Sequence, residues 1–202
     1  MTRPYFVVVA GGTAGGKSTL ARGLAERLDA VLIAHDRYYF DVAEPRGHNY
    51  DHPDALDTAR LVSDLKTLAA GRQAGLPVYA FATHSRQPEV ERVQPAPVIL
   101  VEGILVLADP RVAELADLTV YVDCPDDIRL VRRIRRDVVE RGRDVHGVLE
   151  QYLGTVRPMH EQFVAPCRDY ADLVLDGTQP PDSLVEQLEA VVRGRTGVRA
   201  TE

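Results

Sequence analysis

The stretch GGTAGGKSTL, residues 11–20, constrains the fold of this chain more than any other segment. Gly11, Gly16, Lys17 and Ser18 fit the spacing G-x-x-x-x-G-K-[ST], in which successive backbone N–H groups curl around a phosphate. An apolar run at residues 5–10 precedes the glycines, and residues 19–28 carry a helical pattern. The order of strand, glycine loop and helix therefore predicts a phosphate-binding loop at the start of an α/β domain.

Lys17 is unusual in a chain that has one other lysine, Lys66, and otherwise uses arginine for positive charge. An ammonium is a compact charge that reaches the β- and γ-phosphates inside a tight loop, where a planar guanidinium does not fit. The Ser18 hydroxyl is the group expected to face Mg²⁺. ATP is expected to contact Gly11, Gly12, Thr13, Ala14, Gly15, Gly16, Lys17, Ser18 and Thr19.

Composition limits the class of protein. The 202 residues suit one domain, predicted at residues 1–194 with a frayed tail at 195–202. A net charge of −6 argues against a general nucleic-acid binder. Cys124 and Cys167 lack metal or redox spacing, and we see neither a signal peptide nor a run of membrane length, so we expect a cytoplasmic location.

Strand and helix patterns alternate along the chain. Apolar runs at residues 6–10, 31–34, 98–101, 118–122 and 173–175 are typical of buried strands. Helical patterns lie at residues 19–28, 58–70, 111–115, 126–141, 145–164 and 181–193. This alternation predicts a parallel sheet with helices on both faces, interrupted by a polar loop excursion at 41–57. Residues 76–81 are expected to add a short strand or hairpin at the edge of the sheet.

Two carboxylates follow predicted strands. Asp36 comes just beyond the second strand, and Glu102 ends the apolar run at 98–101. The carboxyl edge of a parallel sheet is where α/β proteins bind ligands, so both side chains are expected beside the phosphate loop. Asp36 is predicted to be a catalytic base or a magnesium partner, and Glu102 to support Mg²⁺ together with Ser18. An ordinary turn aspartate and a solvent-facing glutamate are the simpler alternatives.

Seven arginines crowd residues 129–143. Helical spacing places Arg129, Arg132, Arg133 and Arg136 on one face and apolar residues on the other, which predicts a helix that packs by its apolar face. The guanidinium groups, with Arg141 and Arg143 beyond the helix, would then form an arginine-rich lid over the phosphates. A solvated charged face or a nucleic-acid patch are the alternatives.

Taken together, these features resemble the uridine–cytidine kinases of the P-loop uridine kinase family. The resemblance covers residues 5 to about 176 and depends on motifs more specific than the glycine loop. They are NYDHPDA at 49–55, PVYxFxxHSR at 77–86, EGIL at 102–105, RRIxRDVxERGR at 132–143, QY at 151–152, VxPM at 156–159 and YAD at 170–172.

This resemblance implies transfer of the γ-phosphate of ATP or GTP to the 5′-hydroxyl of uridine or cytidine, with Mg²⁺ and commonly in a homotetramer. Small molecules rather than nucleic acid or membrane would be the partners. Asp36 would be the base, with Lys17, Arg136 and Arg141 as further catalytic groups and Arg143 on the ATP phosphates. The nucleoside would contact Tyr50, Asp51, Tyr79, His84, Arg133 and Gln151.

Three departures from the family pattern are visible. Arg37 replaces a small residue beside Asp36, the segment from there to Asn49 is short, and Leu175-Asp-Gly-Thr stands where R-G-G is common. We expect Arg37 to point away from the site, because adjacent side chains of an extended segment face opposite ways.

Two other functions are compatible with a phosphate loop. A phosphoribulokinase-like enzyme also carries an aspartate after its second strand, but its sugar-phosphate acceptor does not need base-reading residues such as Tyr79 and His84. A GTPase-type switch would carry N-K-x-D for guanine. That motif is absent, because Lys17 lies in the loop and Lys66 follows Leu65.

Overall fold

A computed structural model describes residues 3–43 and 48–197 of the chain. Its centre is a five-stranded sheet in the order β2-β5-β1-β6-β7, with every paired strand parallel. This confirms the predicted α/β fold class. The strands are β1 Tyr5–Gly11, β2 Val31–Ala34, β5 Val98–Glu102, β6 Leu118–Asp123 and β7 Leu173–Asp176.

Helices cover both faces of this sheet because the strands are apolar on both sides. Along β1, Phe6 and Val8 pack into one core cluster, and Val7 and Val9 pack into the other. The helices are α1 Lys17–Leu28, α2 Thr58–Ala69, α3 Pro110–Ala113, α4 Asp126–Val139, α5 Val145–Gln151, α6 Arg157–Met159 and α7 Pro181–Thr196. The helix expected to end at 193 thus continues to Thr196.

The predicted hairpin is present and longer than expected, but it is not part of the central sheet. Strands β3 Ala74–Ala80 and β4 Ser85–Val93 pair antiparallel in a separate two-stranded sheet. In the polar excursion at 41–57, residues 44–47 lie outside the described part of the chain, so only the ends of the shortened segment are placed.

The packing predicted for α4 is wrong. Its buried side chains are Arg129, Arg133 and Asp137. On the expected packing face, Val131 is exposed and Leu130, Ile134 and Val138 are only partly buried. The physical reason is that both buried arginines have a counter-charge: the fully buried Asp137 pairs with Arg133, and Asp126 pairs with Arg129. The apolar stripe of this helix therefore does not mark its packing face.

The single helix expected at 145–164 is interrupted twice. After α5, wide π-type turns occupy Tyr152–Val156 and His160–Val164, with α6 between them and a 3₁₀ helix at Ala165–Tyr170 after them. Such turns carry one extra residue, so side chains beyond them leave the register that a 3.6-residue period predicts. Within the described residues, no helix combines the length and the apolar character needed to cross a bilayer.

We expect Asp137→Asn to lower the free energy of unfolding by about 3 kcal/mol, because it leaves the buried Arg133 guanidinium without its carboxylate. Asp127→Asn is the matched control. It lies on the same helix with an exposed side chain, and we expect it to cost less than about 1 kcal/mol. Denaturant unfolding of both variants provides the measurement, and equal stabilities would contradict a structural role for Asp137.

Candidate active site

The glycine loop connects β1 to α1 at the carboxyl edge of the sheet. Gly11 and Gly16 adopt positive φ values of 147° and 104°, which glycine permits without a steric penalty. The Gly15 N–H donates to the Gly12 carbonyl at 3.0 Å, closing the turn, and Lys17 begins α1 with a buried side chain. This is a strand–loop–helix geometry that presents backbone N–H groups and a helix N-terminus to an anion.

Glu102 ends β5 beside this loop. Its carboxylate accepts a hydrogen bond from the Ser18 hydroxyl at 2.9 Å and is almost fully buried. Burial raises the pKa of Glu102, while the nearby Lys17 charge opposes the shift. Gly103 follows Glu102 and lies directly against His35. A Cβ at position 103 would be 2.6 Å from the Cβ of His35, so only glycine allows this close approach. The end of β5 thereby comes close to the turn that carries Asp36.

Asp36 lies on a 3₁₀ turn, His35–Tyr38, directly after β2. Its Oδ1 atom is buried and has no hydrogen-bond partner within residues 3–43 and 48–197. Arg37 points to the hairpin, where its Nε donates to the Pro77 carbonyl at 3.0 Å and its Nη2 contacts Glu91. The expected direction of Arg37 is therefore found, but a helical turn rather than an extended segment produces it.

Arg133, Arg136, Arg141 and Arg143 converge on one carboxylate, that of Asp137. The N–O distances are 3.7, 2.9, 3.3 and 3.2 Å in that order. Their exposure differs, since the Arg141 side chain is 55% exposed and that of Arg133 is 8% exposed. These four arginines thus gather around a single negative charge, so positive charge exceeds negative charge among them.

Gln151 joins the arginines to the rest of the site. Its Oε1 accepts from Arg133 Nη2 at 3.0 Å and from Arg143 Nη1 at 2.8 Å. Arg133 Nη1 also donates to the hydroxyl of Thr13 in the glycine loop at 3.0 Å. The Arg133 guanidinium therefore touches both a residue expected at the phosphates and one expected at the sugar.

Asp51 lies in the polar excursion and is 8% exposed. Its Oδ2 accepts from the Thr155 hydroxyl at 3.0 Å. Burial raises the pKa of Asp51, whereas the Thr155 hydrogen bond and the charge of Arg133 lower it and the charge of Asp36 raises it further. Asp51, Arg133 and Asp36 are therefore close enough to interact electrostatically.

Four aromatic rings form a group next to Asp51. Tyr50 and His84 lie 5.1 Å apart with their planes 31° from parallel, and Tyr39 contacts both Tyr50 and Tyr79 at 5.6 and 5.7 Å between ring centroids. The hydroxyls of Tyr50 and Tyr79 are buried and unpartnered within the described residues. Burial raises the pKa of Tyr79 to about 12, so its phenol stays protonated and can donate.

Three residues at this site were missed by the sequence reasoning. Tyr39 and Asp137 received no site role from the sequence pattern, and Thr155 fell inside the single helix expected at 145–164. Only Asp137 carried a signal, since it stands among seven arginines in residues 129–143. Tyr39 directly follows a 3₁₀ turn and Thr155 lies in a π turn, and periodic patterns predict neither turn.

Comparison with known proteins places this arrangement in a family. The model of the Phosphoribulokinase / Uridine kinase family matches residues 6–182. The chain belongs to this family. It is 46% identical to the uridine kinase of Chloroflexus aurantiacus, covering 95% of this chain and 98% of that protein. It is 45% identical to the uridine kinase of Clostridium botulinum strain 657, covering 87% of this chain and 89% of that one.

A solved structure agrees with the family at the level of the fold. A sugar kinase from Janibacter sp. HTCC2649 superposes with a TM-score of 0.59, covering 98% of this chain and 99% of that one at 17% identity. The family assignment agrees with the resemblance inferred from the sequence motifs, and it makes the chain a kinase.

The raised pKa of Asp51 predicts a pH-dependent difference between wild type and Asp51→Asn. A carboxyl whose pKa is higher in the folded than in the unfolded state makes the protein less stable as the pH rises from about 4 to the pKa of the folded state. Asp51→Asn has no carboxyl to ionise. Its free energy of unfolding should therefore rise relative to that of wild type over this pH interval and then stay constant relative to it. Unfolding curves at several pH values measure it, with the exposed Asp54→Asn as control. A difference that is independent of pH would contradict the assignment.

Proposed function

We propose that this protein transfers the γ-phosphoryl group of a nucleoside triphosphate to the 5′-hydroxyl of uridine and cytidine. Curated relatives at 45–46% identity over most of the chain bear the name uridine kinase, and the family assignment agrees with them. In the reaction, the 5′-oxygen bonds to the γ-phosphorus as the bond to the bridging oxygen breaks. The nucleoside diphosphate leaves, and the hydroxyl proton passes to Asp36 or to water.

The observation that carries the choice of acceptor is the aromatic group beside Asp51. A nucleobase needs ring faces and polar edges, which Tyr50, Tyr79 and His84 offer, whereas a sugar phosphate needs neither. Asp51 and Gln151 supply oxygen acceptors for ribose hydroxyls, and Arg133 contacts Gln151. This arrangement, with the curated relatives, disfavours the phosphoribulokinase-like alternative.

The proposed binding site of the phosphate donor consists of the glycine loop and the arginines around Asp137. We propose that residues 11–19 and Arg143 bind the triphosphate, with Lys17 on the β- and γ-phosphates. Arg136 and Arg141 would neutralise charge that spreads over the γ-phosphate in the transition state. The exposed Arg141 has a single ion pair in the described structure, so it is the lid residue that can most readily exchange Asp137 for phosphate.

The residues at the β2 and β5 ends fit a magnesium ion. Ser18, Glu102 and Asp36 provide hard oxygen ligands of the kind Mg²⁺ prefers, and Asp36 Oδ1 is a buried acceptor without a protein partner in the described structure. We propose that these three groups hold the ion directly or through its water shell. When bound, the ion would neutralise phosphate charge, and Asp36 would orient the acceptor hydroxyl.

The wider setting follows from this chemistry. ATP and GTP are both proposed as donors, and the products UMP and CMP make the reaction one of pyrimidine salvage. Cys124 and Cys167 are free buried thiols, consistent with a cytoplasmic location. A homotetramer, with neither nucleic acid nor membrane as partner, stays a prediction from the family resemblance.

One coupled assay tests the proposal. With ATP and Mg²⁺, we expect turnover of uridine and cytidine, little of adenosine or thymidine, and none of ribulose 5-phosphate or without acceptor. Lys17→Arg, which keeps the charge but not the compact geometry, is the control for a contaminating kinase and should lose most activity. Turnover of ribulose 5-phosphate but not uridine would reject the proposal, and ATP hydrolysis without any acceptor would favour a switch.

The role of Asp36 is tested by comparing it with its neighbour. We expect Asp36→Asn to lower kcat by about 10²-fold or more, because the variant cannot accept the hydroxyl proton, with a much smaller change in the KM for uridine. Arg37→Ser is the matched control, since its side chain contacts Pro77 and Glu91, and its kcat should stay within about threefold. Steady-state kinetics decide the matter. Full activity in Asp36→Asn would exclude a catalytic carboxylate there.

A further inference from the structure

The Thr155 hydroxyl lies between two hydrogen-bond acceptors in the part of the site that is proposed to bind the nucleoside. It is 3.0 Å from Oδ2 of Asp51 and 3.2 Å from the main-chain carbonyl of Gln151. Asp51 and Thr155 are 104 positions apart in the chain, so the contact joins the polar excursion to the helical segment after α5. The same segment carries Gln151, whose side chain binds Arg133 and Arg143.

A π-type turn places Thr155 at this position. The turn Tyr152–Val156 follows α5 directly, and its last N–H contact runs from Arg157 to the Tyr152 carbonyl, five residues back. Inserted turns of this kind are costly within an α-helix and are frequent at functional sites. Here the turn brings the half-buried Thr155 against a buried carboxylate.

Asp51 is 8% exposed, so its carboxylate depends on neighbouring protein groups rather than on water to fix its orientation. Thr155 donates to one oxygen, the guanidinium of Arg133 attracts the charge, and the carboxylate of Asp36 repels it. A hydrogen bond to an ionised group is stronger than one between neutral groups, so the hydroxyl both stabilises and directs the charge. A rotated carboxylate would present its lone pairs away from the sugar.

We propose that Thr155 is a positioning residue that fixes the Asp51 carboxylate for recognition of the ribose 2′- and 3′-hydroxyls. The inference rests on the proposed function, because it assigns the specificity of that same site. Thr155 does not itself touch the reacting atoms. Thr155 acts through Asp51. Removing its hydroxyl should therefore weaken the binding of a nucleoside with both ribose hydroxyls more than that of a nucleoside that lacks one of them.

The experiment compares Thr155→Val, which removes the hydroxyl but keeps the branched shape, with Thr155→Ser, which keeps the hydroxyl. For Thr155→Val we expect the KM for uridine to rise about tenfold, with kcat and the KM for ATP within about threefold. The kcat/KM for 2′-deoxyuridine should fall by less than about threefold, so discrimination between the two acceptors shrinks. Thr155→Ser should restore wild-type discrimination.

A second measurement does not depend on turnover. Carbon NMR titration of the Asp51 carboxyl in the free enzyme, assigned with Asp51→Asn, should show a higher pKa in Thr155→Val than in wild type and a restored value in Thr155→Ser. The direction follows because the Thr155 hydrogen bond lowers the pKa of Asp51, while Arg133 and Asp36 are unchanged.

The outcomes separate the inference from the proposed function. An unshifted Asp51 titration, an unchanged uridine KM, or a Thr155→Ser enzyme as impaired as Thr155→Val would each overturn the positioning role. Equal losses for uridine and 2′-deoxyuridine would do the same. If wild type fails to phosphorylate uridine while the titration shifts as expected, the proposed function fails and the ordering of Asp51 by Thr155 stands.

Discussion

The carboxylate of Asp137 is the interaction on which the site most depends. The inward-facing Arg133 needs a buried anion, and the fully buried Asp137 supplies it while also pairing with Arg136, Arg141 and Arg143. One negative charge cannot neutralise four positive ones, so the cluster keeps a net positive charge beside the glycine loop. That excess suits a polyanionic donor, because a triphosphate supplies the charge that the protein lacks. The feature that holds α4 in place therefore also prepares the phosphate site.

The buried face of α4 also accounts for glycine in the phosphate loop. Arg129 is 2% exposed and lies under the loop, where a Cβ at position 12 would come within 2.5 Å of its Nη1 atom. Gly103 plays the corresponding part at the end of β5, against His35. Both glycines are needed for close approach rather than for an unusual backbone angle, since their φ values are not positive. The sheet edge is compact because these two positions have no side chain.

The sequence predicts the central sheet well because its strands are continuous apolar runs. Starts and ends of β1, β2, β5, β6 and β7 lie within one residue of the predicted bounds. The face of α4 was predicted incorrectly, since periodicity alone assigns apolar residues to the interior and cannot detect that Asp137 compensates Arg133. Contacts such as Thr155 with Asp51 join distant segments through a π turn, and neither local propensity nor spacing contains that information.

The two halves of the site are built from different kinds of structure. The phosphate half belongs to β1, α1, β5 and α4, which pack into or against the core of the sheet. The proposed nucleoside half is assembled from Tyr39 directly after a 3₁₀ turn, the excursion with Asp51, the hairpin with Tyr79 and a π turn with Thr155. Changes in these peripheral elements would leave every central strand in place.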